Sequence, residues 1–303
     1  MDSDNNKSLV SVIIPTYGGG EYLKRSIDSV LTQTWPAVEV VVCDDNGVGT
    51  ECQLRTAEVM AEYAGDQRVK YVCHEHNING SAARNTAFRH SRGEYTALLD
   101  DDDEFLPGNI EAHVMVLATL PADYALTYCS GKDVYHGGKE VKVMRKTFTG
   151  QDLYAILMHR VVISSSSLVI RRDCWEALGG FDETFRRHQD WEFTARVMAR
   201  YKVWAMDHIG YVRYRFQRNN TSDPEKRKAH MDHYLEKMMP YIKTLPLSQQ
   251  KDILISNRLQ LCVTYIKRHE YGKCLNHYMN VRPGMRGLAF WWHFVASKMK
   301  RRK

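Results

Sequence analysis

The sequence predicts an α/β fold with a mixed but mostly parallel β-sheet, followed by a C-terminal helical appendage. Two observations lead to this prediction. Short β-branched apolar runs alternate with segments of helical periodicity in the first part of the chain, which is typical of βαβ units. Beyond Pro224 only an amphipathic helical periodicity remains. We therefore place a boundary near residues 217–224 and predict two domains, 1–220 and 221–303.

The elements follow one another with ordinary strand and helix lengths. Leu9–Ile14 predicts a buried strand stopped by Pro15, and the apolar positions between Tyr22 and Leu31 recur at helical spacing. Later apolar runs predict further strands at Val38–Cys43, Val69–Cys73, Tyr95–Leu99, Val161–Ile170, Val203–Met206 and Ile209–Phe216, with antiparallel additions at Tyr124–Tyr128 and Asp133–Val143. Helical patterns predict helices around Gln53–Tyr63, Ser81–His90 and Asp190–Tyr201.

The composition is that of a globular protein without a membrane span. The chain has 303 residues, 44% of them hydrophobic and 26% charged. No apolar run approaches the ~18 residues of a transmembrane helix, and Met1–Lys7 is polar, unlike a signal peptide. The seven cysteines form no C-x-x-C pair, which favours reduced thiols. We therefore expect a cytoplasmic protein, and we expect no nucleic-acid partner.

The segment 285–303 combines aromatic residues with a basic end. Trp291 and Trp292 precede Lys298–Lys303, in which five of six residues are lysine or arginine. This pattern favours a helix lying on an anionic membrane, with peripheral contact at the inner face of the plasma membrane. Packing of the same apolar face onto the first domain is the alternative.

Polar clusters directly follow three of the predicted strands. They are Thr16-Tyr17, Asp44-Asp45 and Asp100–Asp103. Because ligands of open α/β sheets bind beyond the carboxyl ends of the strands, we expect these clusters to meet at one edge and form a binding site.

The four aspartates at 100–103 indicate a metal site. In an extended chain Asp100 and Asp102 point to one side and Asp101 to the other. Two carboxylates on one face repel each other unless a cation lies between them, and hard ions such as Mg²⁺ or Mn²⁺ bind carboxylates together with substrate phosphates. The alternative is a solvated acidic loop that caps a helix beginning near Pro107.

Three further side chains are candidates for binding or catalysis, and each also has an ordinary structural explanation. Asp45 could accept from a nucleobase or ribose, or belong to a turn in Asp-Asn-Gly. Arg84 could contact phosphate or the aspartates, or lie on a helix surface. Asp190 could act as a general base on an acceptor hydroxyl, or cap a helix.

Taken together, these segments resemble the family-2 glycosyltransferases of the GT-A fold, over about two-thirds of the chain. Val10–Tyr17 is similar to the family's opening strand and donor-binding loop, and Val41–Asn46 resembles its second strand. Asn77–Asn85 resembles the N-x-G…A-R-N segment. The remaining matches are Leu99–Pro107 with D-x-D-D-x-x-x-P, and Gly179–Glu183 followed by Gln189-Asp190 with G-G-F-D-E and the later E-D pair.

The resemblance implies an inverting, metal-dependent transfer from a nucleotide-diphosphate sugar, most commonly a uridine diphosphate sugar, to a hydroxyl of a glycan or lipid-linked saccharide. It implies Asp190 as the base, Asp102 and Asp100 as ligands of Mn²⁺ or Mg²⁺, and a donor-binding set of Pro15, Thr16, Tyr17, Asp45, Arg84, Asp100, Asp101 and Asp102. Arg213 and Arg215, or His208, could supply further diphosphate contacts, and a role at a sheet edge is the alternative.

Two departures and two alternatives accompany the resemblance. Gly18 replaces an asparagine of the first loop, and Gln189 replaces the glutamate beside the base. One alternative is a non-catalytic protein that keeps the fold and binds nucleotide sugars. The other is a sugar nucleotidyltransferase, which the position of Lys24 and Arg25 in a predicted helix disfavours.

Overall fold

The chain is described by a computed structural model, which gives residues 7–281 except 19, 136, 137, 139 and 216–222. Within this part, nine strands form one sheet. They are β1 Val10–Thr16, β2 Val38–Asp44, β3 Val69–Cys73, β4 Tyr95–Leu98, β5 Asp103–Phe105, β6 Tyr124–Tyr135, β7 Glu140–Met144, β8 Leu168–Arg171 and β9 Lys202–Arg215. Their order is β3-β2-β1-β4-β8-β6-β9-β5, and β7 pairs with β6.

The described residues also form ten helices. They are α1 Leu23–Leu31, α2 Glu51–Ala61, α3 Gly80–Arg89, α4 Asn109–Thr119, α5 Leu153–Leu157, α6 Arg172–Leu178, α7 Gln189–Arg200, α8 Pro224–Ile242, α9 Leu247–Lys267 and α10 Tyr271–Val281. None of the described helices is long and apolar enough to cross a membrane.

The first half of the sheet is parallel, because helices connect its strands. β2 and β4 flank β1, and β3 pairs with β2, all in parallel register. β1, β2 and β4 are almost entirely buried, as expected for strands covered on both faces, whereas β3 at the edge of the sheet is only partly buried. On one face, Leu23, Ile27 and Val30 of α1 join the core formed by alternate residues of β1. The carboxyl ends of β1, β2 and β4 therefore lie at one edge.

The second half of the sheet is mixed. β8 is antiparallel to β4 and β6, β7 is antiparallel to β6, and β5 is antiparallel to β9. β6 and β9 run parallel and are joined along most of their length. This arrangement confirms the predicted α/β fold with a mixed sheet.

Three elements differ from the sequence prediction. Tyr124–Tyr135 is one long strand, and it adds a parallel pairing with β9 to the predicted antiparallel pairings. The strand predicted at Val161–Ile170 begins only at Leu168. The preceding serines form a 3₁₀ turn, in which Ser167 Oγ donates to the carbonyl of Ser164, and such bonds compete with a strand ladder. The two strands predicted after residue 202 form one irregular strand, β9.

The chain divides into two compact units, one comprising Met1–Gln151 and Val162–Arg218, the other Asp152–Val161 and Asn219–Lys303. In the second unit, Asn257 of α9 donates to the carbonyl of Leu157 in α5, and its Oδ1 lies 2.8 Å from His159 Nε2. The short α5 segment thus belongs with the C-terminal helices. The division at 220/221 remains our proposal for the domain boundary.

Candidate active site

The loops that follow β1, β2 and β4 are joined by hydrogen bonds. Thr16 Oγ1 at the end of β1 donates to Asp101 Oδ2 (2.6 Å), and the backbone N–H of Tyr17 lies 3.4 Å from the same oxygen. The N–H of Gly18 donates to Asn46 Oδ1 after β2 (2.7 Å). Thr16 is buried, whereas the Tyr17 side chain is 65% exposed. The edge predicted to bind ligand is therefore one connected surface.

Side chains of helix α1 hydrogen-bond to the backbone carbonyls of the aspartate turn. Arg25 donates to the carbonyl of Asp102 (2.8 Å), and Ser26 Oγ contacts the carbonyls of Asp101 (3.0 Å) and Asp103 (2.6 Å). Because the carbonyls are bound by α1, the backbone conformation at Asp101 and Asp102 is set by the fold. The carboxyl groups project from a rigid support.

The four carboxyl groups of the turn have different surroundings. Asp101 faces the β1 loop, and burial raises its pKa to about 6, with smaller contributions from the charges of Asp102 and Asp100. Asp103 is buried in β5, where Ser166 Oγ donates to its Oδ2 (2.6 Å), and burial together with the charge of Asp100 raises its pKa. Asp100, Asp101 and Asp102 are each only partly buried. Because the Asp101 carboxylate is engaged by the β1 loop, Asp100 and Asp102 are the candidates for contact with a ligand.

Arg84 joins the aspartate turn to the beginning of α7. It projects from α3, whose first turn is capped by Asn79, and its side chain is almost fully buried. One guanidinium nitrogen donates to Asp100 Oδ1 (2.6 Å), and the other donates to Gln189 Oε1 (2.9 Å). Arg84 therefore lies within the site and not on a helix surface.

Asp190 lies in the first turn of α7, next to Gln189. The N–H of Trp191 donates to its Oδ1 (3.0 Å). Burial and the negative charge of Asp100 raise the pKa of Asp190 to about 6, and the positive charge of Arg84 opposes this rise. A carboxyl group with this pKa is largely deprotonated at neutral pH and still basic enough to take up a proton.

Asp45 binds the loop that leads into α3. Its carboxylate accepts from Asn77 Nδ2 (2.7 Å) and from the N–H of Ile78 (2.9 Å), and its Oδ1 lies 2.8 Å from His74 Nδ1. The residue is only 3% exposed. The nucleobase contact implied by the family resemblance stays a proposal. In that contact, a nucleobase N–H would replace one of the present hydrogen bonds to the Asp45 carboxylate.

Several residues suggested as diphosphate contacts have partners elsewhere in the fold. Arg213 and Arg215 of β9 form ion pairs with Asp133 of β6. His208 Nε2 contacts Asn109 Oδ1 at 3.0 Å. The structure therefore brings Asp100, Arg84 and Asp190 together. Arg213, Arg215 and His208 instead contact residues outside this group.

Two side chains that sequence reasoning missed support the site. Ser166 Oγ accepts from the N–H of Asp100 (3.1 Å) while it donates to Asp103, so it links two turn residues. Lys146 is partly buried and donates to the carbonyl of Val162. Burial and the charge of Arg213 lower the pKa of Lys146, and Asp190 is among the negative groups that oppose this. The serine run was visible in the sequence, but no local pattern connects it or Lys146 with the aspartates.

Comparison with known proteins assigns the family. The model of glycosyl transferase family 2 matches residues 11–178, more than half of the chain. The chain belongs to glycosyl transferase family 2. The matched part includes the aspartate turn and Arg84, whereas Asp190 lies beyond it.

Relatives of this family-2 protein include an uncharacterized glycosyltransferase of Methanocaldococcus jannaschii, 30% identical over 204 residues, which cover 66% of this chain and 68% of that protein. A putative colanic acid biosynthesis glycosyl transferase of Escherichia coli K12 is 25% identical over 235 residues, 76% of this chain and 81% of that protein. An uncharacterized glycosyltransferase of Rickettsia felis is 28% identical over 194 residues. These residues are 63% of this chain and 31% of that protein, so the chain spans about a third of its length.

Solved structures show the fold. S. aureus TarS 1–349 in complex with UDP-GlcNAc superposes with a TM-score of 0.61 at 16% identity, covering 92% of each chain. The same protein in complex with UDP gives a TM-score of 0.56 and covers 92% of this chain and 91% of that one. The family-2 chain therefore has the GT-A fold, as its motifs predicted.

Proposed function

We propose that the protein transfers a sugar from a nucleotide-diphosphate donor, with uridine diphosphate as the nucleotide, to a hydroxyl of a glycan or lipid-linked saccharide, with inversion. The observation that carries this proposal is the Arg84 bridge, which joins Asp100 of the aspartate turn to the first turn of α7, where Asp190 lies. Burial and the charge of Asp100 raise the pKa of Asp190 there to about 6. The occupants of the TarS crystals, UDP-GlcNAc and UDP, support the donor class.

The proposed reaction is a single displacement. The acceptor hydroxyl loses its proton to Asp190 as its oxygen attacks the anomeric carbon of the donor, and the bond from that carbon to the nucleoside diphosphate breaks. The attacking oxygen and the leaving diphosphate lie on opposite faces of the sugar, which inverts the anomeric carbon. Asp190 is anchored through the N–H of Trp191, so its position relative to the turn is set by α7.

Arg84 and Gln189 position the groups of this reaction. The guanidinium bridges Asp100 and Gln189, and its charge keeps the pKa of Asp190 from rising further. Gln189 Nε2 donates to the carbonyl of Phe185 (3.0 Å), which orients its oxygen toward Arg84. A neutral Gln189 can therefore act in place of an acidic neighbour, because it holds Arg84 without adding negative charge near the base.

The residues present fit a hard divalent cation. Burial and crowding raise the pKa of Asp101, Asp103 and Asp190, and Asp103 Oδ1 is buried without a hydrogen-bond partner among the described residues. Partly exposed oxygens at Asp100 and Asp102 are the kind of donors that Mn²⁺ and Mg²⁺ prefer. Asp102 and Asp100 would hold the ion, which supplies positive charge to the departing diphosphate.

The donor loop supplies the remaining contacts in this proposal. The exposed ring of Tyr17 offers an aromatic face to the donor, while Pro15 and Thr16 lie beneath it at the end of β1. The peripheral membrane contact proposed for residues 285–303 lies outside the described residues.

A donor screen tests the function. The purified protein is incubated with a panel of sugar nucleotides and Mn²⁺, and release of nucleoside diphosphate is measured. We expect one donor to be turned over, and we expect Asp190→Asn to lower kcat about 10²–10⁴-fold with little change in donor binding. Asp173→Asn is the matched control, because Asp173 occupies the first turn of α6 and is exposed.

Two outcomes would contradict the proposal. Turnover that is unchanged in Asp190→Asn would remove Asp190 as the base. Tight donor binding without turnover of any donor would favour a non-catalytic nucleotide-sugar-binding protein.

A further inference from the structure

A cluster of metal-binding side chains that the proposed reaction does not use lies between α4, β6 and β9. His113 comes from α4, Cys129 from β6 and His208 from β9, and one ligand atom from each lies within 4.8 Å of the others. His113 and Cys129 have no exposed surface, and His208 is half-buried. Three such groups from three separate elements converge on one point.

Hydrogen bonds to the outer ring nitrogens select the nitrogens that are left for a ligand. His113 Nδ1 lies 2.7 Å from Thr127 Oγ1, while its Nε2 is buried without a partner among the described residues. His208 Nε2 lies 3.0 Å from Asn109 Oδ1, which can only accept, so Nδ1 carries the lone pair. Bonds of this kind orient histidines that bind metals.

The backbone of β9 is shaped around this cluster. Tyr128 pairs with Ala205 and Ser130 pairs with Ile209. Three residues of β9, 206–208, therefore lie opposite the single residue Cys129 of β6. Such a bulge redirects side chains and is common beside functional sites. A Cβ at Gly210 would lie 2.6 Å from Cys129 Sγ and 1.9 Å from Asn109 Oδ1. Glycine at 210 is therefore required for the approach of the thiol and of the side chain that orients His208.

We propose that His113 Nε2, Cys129 Sγ and His208 Nδ1 bind a zinc ion, with water from the half-exposed side of His208 as the fourth ligand. Two imidazoles and one thiolate suit Zn²⁺, whereas Mg²⁺ and Mn²⁺ prefer the oxygen donors of the aspartate turn. The site is thus chemically distinct from the cation proposed for the donor.

The ion would join α4 to the β6–β9 pair. β9 also contains Arg213, whose backbone lies opposite that of Asp103 in the β5–β9 strand pair, at the end of the aspartate turn. Zinc at this place would hold β9 in the register that supports the turn. Binding requires that the Cys129 thiol release its proton, and the neutral imidazole of the buried His113 is the form that binds metal.

Metal analysis of the full chain tests the proposal. Protein purified from zinc-supplemented cells is analysed for metal by mass spectrometry after gel filtration, and we expect close to one equivalent of zinc. Cys129→Ser should lose it. Cys174→Ser is the matched control, since it alters another buried thiol, and Asp102→Asn is the control for the aspartate turn. Both should keep the zinc.

Cobalt provides a second readout that does not depend on activity. The zinc-free protein loaded with Co²⁺ should show a thiolate-to-cobalt charge-transfer band, absent in Cys129→Ser. If Cys129→Ser does not fold, His208→Gln removes a half-buried ligand instead and should have the same effect on zinc content. Folded wild-type protein without zinc and without the cobalt band, or equal zinc in wild type and His208→Gln, would overturn the proposal.

Discussion

The pKa of Asp190 is raised mainly by burial, and two side chains of opposite charge adjust it. The charge of Asp100 raises this pKa further and the charge of Arg84 lowers it. A general base must be deprotonated before it can accept, so the reaction should slow as pH falls through about 6. The fraction of active protein should therefore rise from acid toward neutral pH and then level off.

The acid limb of this profile should move in opposite directions in two variants. Arg84→Gln removes a positive charge, raises the pKa of Asp190 and moves the limb to higher pH. Asp100→Asn removes a negative charge and moves it to lower pH. The measurement is kcat/KM against pH, with Arg89→Gln as control, because Arg89 lies on the same helix with an exposed side chain. Shifts of the same sign in both variants would contradict the assignment of the base.

At the scale of elements, the contact between β6 and β9 depends on a glycine. Gly131 pairs with Tyr211, and a Cβ built at Gly131 would lie 2.4 Å from two atoms of the Tyr211 ring. Tyr211 is fully buried, so its ring has little room to move away. The absence of a side chain at Gly131 lets the ring pack against the neighbouring strand.

Gly131→Ala should therefore destabilise the protein by about 1–3 kcal/mol, the usual effect of overpacking a core. Gly65→Ala is the control, because a Cβ there has no atom within 4 Å, and we expect it to stay within about 0.5 kcal/mol. Urea unfolding followed by circular dichroism measures both. Equal stability of Gly131→Ala and wild type would show that Tyr211 can shift without cost.

At the scale of the whole molecule, the parallel half of the sheet could be predicted and the mixed half only in part. β1, β2, β3 and β4 are short apolar runs with turn residues after them, which is local information. The pairing of β6 with β9 joins residues about 80 apart, and no local pattern encodes it. β5 is a three-residue strand that begins with an aspartate, so its sequence resembles a loop.

The candidate site divides in the same way. The aspartates follow β4 and Arg84 lies in the helix before it, so their approach to one edge follows from the topology of βαβ units. Asp190 begins α7 in the mixed half of the sheet, and only the family resemblance pointed to it. The hydrogen bonds of Asp45 with the loop before α3 were not predictable, because they depend on the path of that loop. Lys146 and Ser166 reach the site from the mixed half of the sheet, whose arrangement the sequence does not reveal.

The charge of the chain leads to a last prediction, which concerns residues outside the described part. Of the last six residues five are basic, and Trp291 and Trp292 precede them. If this segment lies on a membrane, the protein should sediment with vesicles that contain anionic lipid and be released by high salt or by deletion of residues 287–303. A Trp291→Ser/Trp292→Ser variant separates insertion of the aromatic rings from attraction of the charges. Equal sedimentation of the deletion variant and the full chain would favour packing of the segment onto the protein instead.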